Sequence, residues 1–63
     1  MKDIELNYAR CFATAAGAAV RAHLRKITIE RVLGPNATDA ELRSLEAQRS
    51  LVHQIETLIE RGK

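Results

Sequence analysis

The side chains able to do nucleophilic, acid–base or metal chemistry are few: one cysteine (Cys11), two histidines (His23 and His53) and eight carboxylates. Covalent or general-base catalysis requires a nucleophile, a base and a group that orients the base within one pocket. Cys11 shares a helical stripe with Ile4, Tyr8 and Phe12, the pattern of a thiol used as core packing. His23 falls at the edge of an apolar helix face. His53 with Glu56, three residues on, has the spacing of one half of a carboxylate di-metal site, but no second carboxylate–histidine pair exists to complete it. Gly17, Gly34 and Gly62 are too far apart to form a phosphate loop. These residues predict a chain that is not an enzyme, holds no metal or cofactor, and has no small-molecule substrate.

One cluster carries a different possibility. Arg21, Arg25, Lys26 and Arg31 lie within eleven residues, and arginines along one side of a short helix can approach a DNA groove. The first 33 residues bear a net charge of +3, six cations against three anions, within an overall +2. The cluster lacks interleaved Asn, Gln or Ser for reading base edges. The expected alternative to a solvated face is therefore weak, phosphate-dominated nucleic-acid contact through these four residues.

The strongest boundary in the chain is Gly34-Pro35-Asn36-Ala37, a turn between two apolar-periodic arms. Thr38 and Glu41 follow as a capping box, in which the Thr38 hydroxyl accepts the Glu41 amide and the Glu41 carboxylate returns to the Thr38 amide. A helix of about twenty residues is predicted from there to Gly62, spanning about 30 Å. Leu45, Val52, Ile55 and Ile59 mark its seam. Gln48 completes the seam as a buried amide in need of partners, and Leu51 and Leu58 widen it. Arg43, Glu46, Gln54, Glu56, Glu60 and Arg61 are expected on the solvent side. Asn36-Ala37-Thr38 matches a glycosylation pattern and reads more simply as the start of this helix.

In the first arm, a short helix bearing the Ile4–Phe12 stripe should end near Thr14, a suitable N-cap for a second helix. There Val20, Leu24 and Ile27 share the core face and Arg21 and Arg25 another, while the small residues Ala15–Ala19 admit a close neighbour. Gly17 costs up to about 1 kcal/mol relative to Ala in a helix, so a close contact is expected at that position. Beyond Ile27 the stripe drifts. Helix is expected to continue there, either bent or restarted by Thr28, because the β-branched run Ile27-Thr28-Ile29 has no second strand to pair with. The fold class is all-α: one domain over residues 1–63, with two short N-terminal helices packed on one long C-terminal helix.

A chain of 63 residues buries only about 60% of the surface it exposes unfolded, so a protein partner or self-association would add to a thin core. The long-helix residues Leu45, Gln48, Leu51, Val52, Ile55, Leu58 and Ile59 form the expected interface. A single cysteine, a charged N-terminus and the lack of any long apolar run point to a cytoplasmic protein without a signal peptide or membrane contact.

The stretch Phe12-Ala13-Thr14-Ala15-Ala16-Gly17-Ala18-Ala19-Val20, followed by Leu24 and by Leu45-Glu46-Ala47-Gln48-Arg49, resembles a family of small tailed-phage proteins. These are encoded in the virion-structural gene block of podoviruses of the Bordetella-phage type. The resemblance covers about residues 10 to 61. Ala47 stands where the family pattern has a small Gly, and Ala15 or Ala16 where Pro is common. The resemblance implies a phage or prophage protein acting in head assembly, head–tail joining or packaging, found in the host cell or the virion. It carries no catalytic residues to transfer.

Overall fold

The computed structural model describes residues 2–63. Three helices follow in order, α1 (Lys2–Phe12), α2 (Ala15–Ile27) and α3 (Asp39–Arg61), and no strand occurs among the described residues. The expected arrangement of two short helices against a long one is the one observed.

Each break between helices has a local chemical cause. Thr14, in extended backbone, accepts the Gly17 amide at 2.9 Å and opens α2. A Cβ on Gly17 would lie 2.7 Å from the Phe12 Cα and collide with the Cys11 carbonyl. The close contact expected of Gly17 is thus with the end of α1, and it lets the chain turn a sharp corner. At the far end of α2 the expected continuation of helix past Ile27 does not occur. Thr28 turns its hydroxyl back onto the Leu24 carbonyl at 2.6 Å, and the Glu30 amide bonds the Arg25 carbonyl at 2.9 Å. Such side-chain bonding competes with helix propagation. The chain then leaves as irregular backbone through the Gly34–Ala37 turn, closed by Ala37 N–H donating to the Gly34 carbonyl at 3.1 Å. Thr38 caps α3 by accepting the Glu41 amide at 3.1 Å, the first of the two expected capping-box bonds.

α2 runs antiparallel to α3, and α1 packs on the C-terminal end of α3. Glu5 and Ala9 of α1 lie against Gly62, Arg25 of α2 meets Glu56, and Thr28 meets Arg49. α1 packs most extensively on α3, whereas α2 touches it least. A Cβ on Gly62 would strike the Glu5 carbonyl and sit 2.9 Å from the Ala9 Cβ. Gly62 ends α3 in ordinary right-handed backbone, with φ −84°, so its smallness serves the approach of α1.

Among the described residues the enclosed aliphatic side chains are Leu45, Val52 and Ile59, one every seven positions along α3. The shape follows from so narrow a seam. The Cα extents are 42 × 25 × 11 Å, a slab about one helix thick. Its radius of gyration, 13.7 Å, exceeds the roughly 10.6 Å of a compact 63-residue domain.

Candidate functional site

Three arginines and three glutamates organise the seam between the arms. Glu56 is 9% exposed and occupies the stripe between Val52 and Ile59, which corrects the expectation that it faces solvent. Successive helical residues rotate by about 100°, which places Glu56 nearer the line of Leu45 and Val52 than Ile55 is. Arg25 Nη1 donates to both Glu56 carboxylate oxygens, at 2.6 and 2.8 Å. Arg21 Nε donates to Oε2 at 3.4 Å, and its Nη2 lies 3.7 Å from Glu60 Oε1. Burial pushes the Glu56 carboxyl pKa up, but the hydrogen bonds and charges of Arg25 and then Arg21 outweigh it and hold the group below its ordinary value. The Arg25 pKa rises in return, chiefly through its hydrogen bond to Glu56.

The sequence-derived basic cluster is divided by this arrangement. Arg21 and Arg25 are brought together on Glu56. Lys26 is exposed in the last turn of α2, and Arg31 is exposed in the segment beyond it. His53 Nδ1 stands 3.9 Å from Glu56 Oε1, and the oxygens that a His53–Glu56 half-site would offer a metal already accept guanidinium protons. Among the described residues no group of three or more His, Cys, Asp or Glu side chains is placed to hold a metal ion.

The third arginine makes a clamp that the sequence does not announce. Arg49 Nε donates to the Thr28 carbonyl at 2.9 Å, its Nη2 donates to the Arg31 carbonyl, and its Nη1 pairs with Glu46 Oε1 at 2.6 Å. One planar guanidinium thereby holds both ends of the segment that leaves α2, with Glu46 orienting it from one turn away. Glu46 and Arg49 belong to the Leu45–Arg49 stretch, and the clamp explains them together. Gln48 between them is exposed. The expectation of a buried seam amide is therefore corrected, since this position lies beyond the cover that α2 and the following segment provide.

Of the remaining expected interface residues, Leu45, Val52 and Ile59 are buried, Ile55 and Leu58 half-buried, and Leu51 exposed. Val20 and Ile27, expected in the core, are 51% and 43% exposed, and Leu24 is half-buried. Cys11 is exposed rather than packed, in a shallow apolar groove with Ile4, Tyr8 and Phe12. The exposure of Val20 and Ile27 has one cause: α2 reaches α3 through arginine side chains, which hold the two backbones too far apart for aliphatic groups on its flank to be covered.

Antiparallel right-handed helices turn the same rotational flank to the same side. Arg21 and Arg25 therefore share one broad face with His53, Glu56 and Glu60. Val20 and Ile27 share the opposite face with Leu51 and the exposed edge of Ile55, whereas Ile4, Tyr8 and Cys11 line their groove together with Phe12, which also borders the hollow formed by Arg21, Arg25 and Glu56. Leu42, 46% exposed, is the exception and falls on the ionic side.

The three helices thus form a flat layer with one ion-paired face and one apolar face. Residues 8–60 match the family described as Bbp19-like phage protein. The chain belongs to that family, a phage protein family, as the Phe12–Val20 and Leu45–Arg49 stretches suggested. No curated protein and no solved structure matches the chain. No helix among the described residues is long and apolar enough to cross a membrane.

Proposed function

We propose that the chain is a protein–protein interaction module in virion assembly, working in the host cytoplasm or carried in the particle, and that it is not an enzyme. The observation that carries this reading is the division of the surface. The charged side chains at the seam are used up in holding the arms together, while aliphatic side chains on the other face remain open for contact. Membership of a phage protein family supplies the setting.

DNA binding through Arg21, Arg25, Lys26 and Arg31 is the alternative, and the pairing of Arg21 and Arg25 with Glu56 counts against it. Two free cations would neutralise about two phosphates and give a shallow salt dependence.

Mass spectrometry of gradient-purified particles and head precursors, from a phage encoding this chain, tests the reading. Recovery in a fixed ratio to the capsid protein is the expected result. Absence from every particle fraction, together with steeply salt-dependent binding to duplex DNA, would overturn it in favour of the alternative.

A further inference from the structure

We infer that the apolar broad face, centred on Val20, Ile27 and Leu51, is the contact surface for a second copy of this chain. The inference deepens the interaction-module reading by naming its first partner.

The area argument comes first. The chain exposes 4795 Å², whereas a compact monomer of 7.0 kDa exposes about 4,000 Å². The excess, roughly 800 Å², is what one partner contributes to an interface of standard size. A single copy is thus open by about the area that pairing with a second would cover.

The chemistry of the face agrees with a copy of itself as occupant. Val20, Ile27 and Leu51 are 51%, 43% and 57% exposed, and none of them carries charge. An uncharged apolar surface is complementary to itself under a two-fold axis, because no like charges are driven together when it meets its own image. The ionic face lacks this property, since Arg21, Arg25, Glu56 and Glu60 are already matched within one chain. The slab is only 11 Å thick between Cα extremes, so stacking a second slab on the apolar face would enclose side chains that one layer cannot.

Light scattering behind size exclusion, across a wide range of protein concentration, is the test. The expected mass is twice 7.0 kDa. Val20→Glu and Leu51→Glu place charge on open positions that a monomer tolerates, so helical circular dichroism should persist while self-association weakens roughly 100-fold. Gln54→Glu, on the outer side of α3, should leave the dimer intact. A wild-type monomer at every concentration would overturn the inference, as would a dimer that survives both Val20→Glu and Leu51→Glu. A monomeric result leaves the particle fractionation free to decide the assembly role, so the two readings fail separately.

Discussion

Glu56 stands on the same face of α3 as Val52 and Ile59, where a carboxylate is costly unless its oxygens are bonded. Arg25 and Arg21 supply those bonds from another helix. Because the folded pKa of Glu56 is depressed, its contribution to stability is present above the ordinary carboxyl range and is lost as pH falls through the folded value. Urea unfolding of the wild type should therefore weaken between neutral pH and about pH 3. Glu56→Gln should be less stable than the wild type at pH 7 and show a flatter acid limb, and equal slopes in both proteins would refute the assignment. Arg49 gives a separate prediction: Arg49→Ala, which removes the charged donors to the Thr28 and Arg31 carbonyls and leaves Thr28 only its 3.3 Å bond from the Arg31 amide, should cost about 1–3 kcal/mol by urea denaturation. Glu46→Ala should cost less, below about 1 kcal/mol, because its side chain is mostly exposed.

The helices themselves were legible at the level of elements because their signals are local. Thr14 and Thr38 announce two N-caps and Gly34-Pro35 the turn, and of the seam read from Leu45, Gln48, Val52, Ile55 and Ile59 the structure buries Leu45, Val52 and Ile59. Facing was harder to read. An aliphatic residue such as Val20 or Leu51 has the same local pattern whether a neighbour covers it or not, and the standoff that exposes it is set by arginines meeting a glutamate 31 to 35 positions away. The segment after Ile27 was misread for a related reason: its carbonyls are satisfied by Arg49, a partner no local window contains.

The glycines make the elements testable. Gly17→Ala and Gly62→Ala force a methyl against backbone and should lower the melting temperature by several degrees, the effect of about 1–3 kcal/mol in a domain this small. Gly34→Ala meets open space, and no residue among those described has positive φ. It should be neutral or stabilise by about 0.4–1 kcal/mol. Thr14→Ala should cost about 1 kcal/mol through loss of the α2 cap.

The whole molecule is a slab with two unlike faces, one ion-paired and one apolar. Leu45→Asp, on the enclosed seam, should unfold the chain outright rather than dissociate it, as read by loss of helical circular dichroism.

The Arg49 clamp also bears on how the chain reaches this shape. Thr28 and Arg49 are 21 positions apart, Arg25 and Glu56 are 31 apart, and Glu5 and Gly62 are 57 apart in the sequence. The contacts therefore lengthen steadily from the turn toward the termini. Closing the last of these loops before the first costs about 0.9 kcal/mol more in chain entropy, so the low-cost route zips from the Gly34–Ala37 turn outward, with α1 docking last. Native-state hydrogen exchange should then find α1 opening independently while the hydrogen bonds around Thr28 and in the middle of α3 stay closed.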